Sequence, residues 1–302
     1  MERREFIKKT LIGAGLLASN LYLPINLFGE KQNEKIDLVA VKNGEPDIMF
    51  DEAIKFLGGM SNFVKKNQIV VIKPNIGWNR EPEMAANTNP KLVKRIVEHC
   101  INAGAKKVYV FDNTCDYWEN TYKTSGIEKA VKEAGGIIVS GASESYYQEV
   151  IVPKSKVLPK TKVHELIIQA DVFINVPILK SHGSTKVTVA LKNLMGCVWD
   201  RWYYHSNNLS QCIADFPLFR KPDLNIVDCY YVMKSRGPRG VSREDVVILK
   251  SLIVSKDIVA ADSAAITFLG YKFEDITHIK LANQNCLGES DLTKLNIKRI
   301  SL

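Results

Sequence analysis

The sequence lacks the cysteine and basic-residue patterns that identify the common metal-cluster and nucleic-acid-binding proteins. None of its six cysteines forms a C-x-x-C pair, so neither a zinc ribbon nor an iron–sulfur motif is present. Its basic residues are scattered, with no basic run interleaved with aromatic residues, so we expect no nucleic-acid partner. It also lacks internal repeats and low-complexity linkers, which argues against a repeat architecture.

The overall composition is that of an ordinary globular protein. Apolar residues make up 46% of the chain and charged residues 25%, and 302 residues are enough for one large domain or two small ones. The net charge of +8 favours an anionic ligand or an anionic lipid surface. Several cysteines lie in apolar stretches, where we expect buried thiols rather than disulfides.

Residues 1–30 are predicted to form a twin-arginine leader. Arg3 and Arg4 are followed by Phe6 and Lys8, and an apolar segment extends over residues 11–28. The pattern predicts export through the twin-arginine translocase to the periplasm or the outer face of the cytoplasmic membrane. The alternative is a basic start to a cytosolic helix. No clean A-x-A cleavage site follows, so an uncleaved leader could anchor the protein in the membrane. Because this route carries folded proteins, it favours a bound metal or a covalently held organic cofactor.

Beyond about residue 36, short β-branched runs alternate with stretches of helical periodicity. This alternation predicts a Rossmann-like α/β fold with a largely parallel sheet or sheets and flanking helices. We expect a single α/β domain over residues 36–302, divided at most into sub-lobes at about 36–155 and 156–302. Strands are predicted at 36–41, 68–73, 107–112, 171–176, 224–229 and 247–254, and helices at 47–66, 89–103, 125–134 and 258–269.

Parallel strands gather their ligand-binding loops at their carboxyl ends, so polar residues there are the candidate site. A lysine at the end of a buried strand is costly unless it is paired or bound to an anion, which makes Lys73 and Asn75 candidate substrate-binding residues. Thr88 lies at a helix start, where free N–H groups favour negative charge. Alternatively, Lys73 faces solvent and Thr88 only caps the helix. After the next strand, Asp112 and Asn113 could hold a hydroxyl, metal or ammonium group, or form an Asx turn.

The richest polar set follows the fourth predicted strand. A helix beginning near Thr185 would place Thr185, Thr188 and Lys192 on one face. His182 and Lys192 are the predicted catalytic pair, because a desolvated lysine can act as base or nucleophile and histidine carries protons near neutral pH. The alternative is a solvated helix face with a surface histidine. The substrate-binding residues predicted here are Lys180, Thr185, Thr188 and Asn193.

Three more observations concern the second half of the chain. His205 and Asp228 could ligate a metal together with His182, although their spacing does not require it. Arg236 lies in a basic, glycine-bracketed loop and is a further candidate for binding the substrate. The remaining histidines are predicted to lie on helix surfaces: His99, His164 and His278.

At these positions the sequence resembles the bacterial and archaeal family called domain of unknown function 362. The resemblance covers nearly the whole chain after residue 36, and the block from His182 to Gly196 is its most specific part. It implies an α/β fold and a site at these residues, and it names no reaction. The matching segments include residues 71–75, 87–90, 125–127, 180–196, 222–228 and 259–262.

The spacing of His182 and Lys192, followed by Gly196, is also similar to a segment of nickel-pincer lactate racemase. That similarity implies that Lys192 bears or contacts a cofactor and that His182 transfers a proton. It further implies that Lys73 or Arg236 holds a substrate carboxylate.

Three kinds of function agree with these patterns. The first is an enzyme, an isomerase, racemase or oxidoreductase, that acts on a small anionic substrate by His/Lys acid–base or cofactor-assisted chemistry. The second is a periplasmic ligand- or cofactor-binding protein without turnover, which would use the same residues. The third is a structural or membrane-surface protein, which the polar strand ends argue against.

Overall fold

The computed structural model describes residues 35–302. The predicted leader, with Arg3 and Arg4, lies outside the described residues. Residues 36–302 form one compact unit. Within the described part of the chain, no helix is long and apolar enough to cross a membrane.

Strands and helices alternate along most of this unit. The first half contains β1 (Leu38–Lys42), α1 (Pro46–Phe56), β2 (Ile69–Pro74), α2 (Pro90–Asn102), β3 (Lys107–Val110), α3 (Trp118–Thr124), α4 (Ile127–Glu133), β4 (Ile137–Ile138), β5 (Tyr147–Ile151), β6 (Lys160–His164) and α5 (Glu165–Gln169). The second half contains β7 (Val172–Val176), β8 (Ile178–His182), β9 (Lys186–Thr188), α6 (Ala190–Asn193), α7 (Arg201–Ser206), α8 (Leu209–Asp215), β10 (Leu224–Met233), β11 (Val246–Ser255), α9 (Ile258–Ile266), α10 (Thr277–Gln284) and β12 (Ile297–Ser301).

Ten strands form one sheet in the order β12-β1-β11-β10-β7-β2-β3-β4, with β8 paired to β10 and β9 paired to β8. The neighbours from β10 to β4 run parallel, whereas β11 is antiparallel to both β10 and β1. The strands β5 and β6 form a separate antiparallel pair. The mainly parallel sheet with flanking helices confirms the predicted α/β fold.

Both faces of the sheet are buried, because successive side chains of a strand point to opposite sides. On β2, Val70 and Ile72 pack into the apolar cluster that contains α1 and α2, whereas Val71 belongs to the cluster that contains α8 and α9. Strands that are covered on both faces read as continuous apolar runs, which is why β2 and β7 are recognisable in the sequence.

The ends of α2 show how local sequence sets these boundaries. The Asn89 side chain accepts a hydrogen bond from the Lys91 N–H at 3.0 Å, and Pro90 occupies the first helical position. Beyond the helix, Gly104 adopts a φ of +93°, and a Cβ there would lie 3.3 Å from the backbone of Lys66. Conformation and close packing therefore both require glycine at this position.

The helix predicted from Thr185 is wrong. The chain there forms β9, which pairs antiparallel with β8 so that Lys180 lies opposite Thr188. The short helix α6 begins only at Ala190. Alternating β-branched residues suit a strand as well as a helix when a partner strand is available. Lys180 and Thr188 therefore reach one site through strand pairing and not through a shared helix face.

Two predictions about individual residue types are also corrected. All six cysteines are free, but only four are buried, since Cys115 and Cys286 are exposed. His164 and His278 are buried and do not lie on helix surfaces. Burial lowers the pKa of His164 to about 4 and the pKa of His278 to about 3. His99 is partly buried and pairs with Asp51 at 2.7 Å.

Candidate active site

A cavity of about 410 Å³ lies beside the carboxyl ends of β2 and β3, where the strand-end rule places a ligand site. The hairpin β8–β9, the helix α6 and the helix α7 complete its wall. Ten of the predicted site residues line it: Lys73, Asn75, Asp112, Asn113, Lys180, His182, Thr188, Lys192, Asn193 and His205.

The innermost feature of the cavity is a buried ion pair between β2 and the end of β3. Lys73 Nζ lies 2.8 Å from Asp112 Oδ1, and both side chains are almost completely buried. The other carboxylate oxygen, Asp112 Oδ2, accepts a hydrogen bond from the Ile76 N–H at 2.7 Å. A Cβ at Gly196 would lie 1.8 Å from Asp112 Oδ1 and 2.6 Å from Lys73 Nζ. Only glycine at position 196 therefore lets the chain pass so close to the pair.

Amide side chains connect this ion pair to a second lysine. Asn193 Oδ1 accepts hydrogen bonds from Lys73 Nζ and from Asn75 Nδ2, each at 2.9 Å. Asn75 Oδ1 in turn accepts from Lys180 Nζ at 3.0 Å, and Lys180 also donates to the Ala86 carbonyl. Asn193 Nδ2 donates to Asn175 Oδ1 at 2.8 Å, so each amide has both a donor and an acceptor in use and its orientation is determined by the network. The network holds two ammonium groups at defined positions along the cavity.

Lys180 and Lys192 are buried lysines without a carboxylate partner among the described residues. Burial lowers the pKa of Lys180 to about 7, against a small opposing effect of Cys115 and Asp112. Burial likewise lowers the pKa of Lys192 to about 8, since a charged amine is costly away from water. Both amines therefore change charge near neutral pH, which ordinary surface lysines do not.

The position of Lys192 depends on a distant carboxylate. Asp262, in the middle of α9, accepts hydrogen bonds from the N–H groups of Ala190 and Leu191 at 2.6 and 3.2 Å. Both N–H groups lie in the first turn of α6, the helix that carries Lys192, where they have no acceptor within the helix. Burial raises the pKa of Asp262 to about 7 against the lowering effect of those two hydrogen bonds. Asp262 is therefore a positioning residue for the lysine, and it does not itself line the cavity.

His182 has a defined tautomer when neutral. Its Nδ1 accepts a hydrogen bond from the Ser184 N–H at 3.1 Å, which leaves the ring proton on Nε2. Burial, with the nearby charges of Lys192 and Lys180, lowers the pKa of His182 to about 3. The imidazole is therefore neutral at physiological pH and offers an N–H donor to the cavity.

Arg201 is a cavity residue that the sequence reasoning did not select. Its guanidinium, at the start of α7, donates to the carbonyls of Asn113 and Thr114 at 3.0 and 2.7 Å. It also contacts Cys115 Sγ at 3.3 Å. The sequence signal that could have found it is the aromatic-rich run at 199–204, which begins three residues after Gly196. The other lining residues missed are Gly77, Trp78, Cys115, Met195, Gly196, Trp202 and Pro238.

Two predicted threonines use their hydroxyls inside the fold and do not line the cavity. Thr88 Oγ1 donates to the Val176 carbonyl at 2.7 Å and accepts from the Asn75 N–H at 2.8 Å. Thr185 Oγ1 donates to the Val187 carbonyl at 3.0 Å. These hydrogen bonds hold the loop after β2 and the β8–β9 turn, so the structure does not bring the two hydroxyls together with the other predicted site residues.

The predicted substrate contact at Arg236 and the predicted metal ligand Asp228 also lie outside the cavity lining. Arg236 pairs with Asp245, a buried carboxylate, and neither residue lines the cavity. Asp228 accepts hydrogen bonds from the N–H groups of Asn89 and Tyr230 at 2.7 and 3.0 Å, and it does not line the cavity with His205. Among residues 35–302, no cluster of three or more His, Cys, Asp or Glu side chains is placed to hold a metal ion.

Comparison with known proteins identifies relatives of the chain. A family model described as Domain of unknown function (DUF362) matches residues 70–267. The chain is 26% identical over 240 residues to the thylakoid-associated protein sll1697 of Synechocystis sp.. The aligned region covers 77% of this chain and 72% of that protein.

Two solved structures share the general fold at low identity. One is the lactate racemase apoprotein of Thermoanaerobacterium thermosaccharolyticum, with a TM-score of 0.48 and 12% identity over 78% of this chain and 58% of the racemase. The other is a protein from Thermotoga maritima, with a TM-score of 0.48 and 12% identity over 80% of this chain and 60% of that one. The chain thus spans less than two thirds of either, and neither likeness indicates a reaction.

Proposed function

Because the chain belongs to the family described as Domain of unknown function (DUF362), whose description names no reaction, we propose its function from the cavity itself. The proposed function is that of an enzyme that binds a small anionic substrate in this cavity and moves a proton with the Lys192 amine.

The observation that carries the proposal is the imbalance of charge around the cavity. Its lining contains the cations of Lys73, Lys180, Lys192 and Arg201 but a single carboxylate, Asp112. Asp112 is already paired with Lys73 at 2.8 Å. Buried charges without a counterion are costly, so a bound anion would lower the free-energy cost of burying these cations. A carboxylate or phosphate group is the ligand of matching charge.

The hydrogen-bond contacts of each side chain suggest its role in binding or in proton transfer. Lys180 and Arg201 are held by carbonyl and amide oxygens and supply the positive charge that binds the anion. Lys192 can lose its proton near neutral pH, and unlike Lys180 it donates to no oxygen of the described chain, which suits a general base. His182 donates its Nε2–H to developing negative charge and does not accept a proton itself.

A covalently held organic cofactor would also be attached through Lys192, because its amine lines the cavity. Intact mass spectrometry and elemental analysis of protein purified after export address this directly. A mass adduct on Lys192 would add cofactor chemistry to the site. A bare polypeptide mass would leave the amine itself as the reactive group.

Calorimetry with a panel of small carboxylates, phosphate and sulfate tests anion binding. We expect Lys180→Met to weaken binding of the preferred anion about tenfold or more, a loss of at least ~1.4 kcal/mol. The matched control is Lys280→Met, because Lys280 is exposed on α10. Affinity should fall as the pH rises through about 7 to 8, where Lys180 and Lys192 lose their positive charges. Equal binding by the wild type and the Lys180 variant would contradict the proposal.

Proton transfer is tested by exchange of a substrate C–H in deuterium oxide. Each anion that binds is incubated with the wild type and with Lys192→Met, and deuterium incorporation is followed by NMR. Incorporation with the wild type but not with the variant supports an enzyme. Tight binding without exchange for every ligand would favour the alternative, a ligand-binding protein without turnover.

We also propose that the protein is exported by the twin-arginine route and works outside the cytoplasm. The support is the Arg3-Arg4 pattern in the sequence. Cell fractionation tests it: Arg3→Lys with Arg4→Lys should retain the full-length chain in the cytoplasm. An unchanged distribution would contradict the proposal.

A further inference from the structure

We infer that the substrate is a small oxo acid, and that its carbonyl carbon forms an imine with Nζ of Lys192. The inference rests on the proposed function and specifies the substrate class of the same cavity. It follows from a difference among three buried lysines that line the same cavity.

The three lysines differ in what their amines contact. Lys73 Nζ has three oxygen neighbours within hydrogen-bonding distance, on Asp112, Asn193 and its neighbour Pro74. Lys180 Nζ donates to two oxygens. Among residues 35–302, the one hydrogen-bond partner of Lys192 Nζ is Met195 Sδ at 3.2 Å, and a thioether is a weak acceptor. Lys192 is therefore the amine that is least committed to structure and most available for attack.

Its surroundings also favour the nucleophilic form. Lys192 is 7% exposed, and burial lowers its pKa to about 8. About a tenth of the amine is then unprotonated at pH 7, compared with roughly one part in three thousand for an ordinary lysine of pKa 10.5. Lowering the pKa of a lysine by desolvation and neighbouring cations is how proteins activate it toward carbonyl groups.

The rest of the cavity fits the two ends of an oxo acid. Arg201 and Lys180 can bind the carboxylate, and a neutral His182 offers an N–H to the carbonyl oxygen. A dicarboxylate or phosphate would use the same cations but has no group for Lys192 to attack. A carbonyl beside a carboxylate therefore accounts for more of the cavity than an anion alone does.

The chemical step balances without an oxidant or a reductant. The Lys192 nitrogen adds to the carbonyl carbon to give a carbinolamine, which then loses water to form the C=N bond. The two hydrogens of the amine and the carbonyl oxygen leave together as that water. Lys180, with its pKa of about 7, can give a proton to the departing hydroxyl and regain one from the nitrogen. When Lys180 then donates its proton to the imine nitrogen, the positively charged imine withdraws electrons and makes the adjacent C–H more acidic. The neutral Lys180 amine can accept that C–H proton, so Lys192 promotes the proposed proton transfer through its imine.

Reductive trapping tests the inference directly. The full-length protein is incubated at pH 7.5 with glyoxylate, pyruvate or 2-oxoglutarate and sodium cyanoborohydride, and the products are read by intact mass and peptide mapping. The expected result is one reduced adduct per chain, on Lys192, formed at least about tenfold faster than labelling of the exposed Lys280 in the same sample. Glycolate and lactate, which carry a hydroxyl in place of the aldehyde or keto group, should give no adduct.

Peptide mapping of the wild type locates the adduct without depending on any variant. Lys192→Met should abolish the adduct while Lys280→Met retains it. Labelling of Lys192 no faster than Lys280, or no adduct with any oxo acid, would overturn the inference. If calorimetry shows that oxo acids bind but none is trapped, the imine fails and anion binding stands. If no anion binds at all, the proposed function fails as well.

Discussion

Replacing Lys192 by methionine should make the protein more stable at neutral pH while removing its function. Lys192 is buried beside Met195 and has no carboxylate partner among the described residues. Methionine has a similar length, fills the same space and carries no charge, so it removes a buried ammonium without opening a cavity. A residue whose removal stabilises the fold is retained for some other reason, which is the usual property of a functional site.

The size of the effect follows from the lowered pKa of Lys192. A fall from 10.5 to about 8 means that the protonated amine destabilises the folded state by about 3 kcal/mol. Below pH 8 both the folded and unfolded chains bind the proton, so this cost is present in full. Between about pH 8 and 10.5 only the unfolded chain binds it, so wild-type stability rises relative to the variant. The advantage of the variant should therefore be about 3 kcal/mol at pH 7 and about 1 kcal/mol at pH 10.

Urea denaturation of the wild type and Lys192→Met at pH 7 and pH 10 measures this difference. Lys280→Met is the control, since an exposed surface lysine should change stability by less than ~0.5 kcal/mol at either pH. The reasoning is refuted if Lys192→Met is less stable than the wild type at pH 7. It is equally refuted if the difference between the two proteins does not shrink at pH 10. Either result would mean that other groups in the folded protein offset the free-energy cost of burying the Lys192 ammonium group.

Three further substitutions and one glycine control test other parts of the site. Gly196→Ala puts a Cβ 1.8 Å from Asp112 Oδ1 and should cost about 2 kcal/mol or more and abolish anion binding. Gly183→Ala, whose Cβ meets nothing within 4 Å, should leave denaturation and binding nearly unchanged. Asp262→Asn leaves one N–H at the start of α6 unpaired; urea denaturation should show a loss of about 1–3 kcal/mol, and trapping at Lys192 should slow. Arg236→Ala should not change anion affinity by calorimetry, because that guanidinium is bound outside the cavity; a tenfold loss would return Arg236 to the site.

The sequence was most informative where a strand is buried on both faces. The run at 68–73 is apolar, β-branched and followed by Lys-Pro-Asn, and it forms β2 (Ile69–Pro74) within one residue of the prediction. Asn89-Pro90 and Gly104 likewise mark the ends of α2, because caps and turns act through neighbouring residues. The helix predicted over 47–66 ends at Phe56, since periodicity alone does not reveal where the chain turns at Gly58 and Gly59.

The segment after Thr185 shows where local reasoning fails. Its mixture of small polar and β-branched residues agrees with either a helix or a strand. Two contacts determine the secondary structure of this segment. Its first part pairs with β8, and the helix α6 that follows is capped by Asp262, more than seventy residues away. Neither contact can be read from the residues of the segment itself. Lys192 therefore lines the predicted site, but it lies on the short helix α6 after β9 and not on a helix that begins at Thr185.

By itself, the sequence determined the α/β fold and placed lysines and carboxamides at the carboxyl ends of the strands, because burial patterns and strand-end chemistry are local. Only the tertiary structure decided which charged groups face one another. Arg201 lines the cavity and Arg236 does not, since Asp245 binds the second. Asp112 neutralises Lys73 and leaves Lys192 without a counterion, and burial then lowers the pKa of that amine. Charge pairing and desolvation depend on distances across the fold, which residue spacing does not contain.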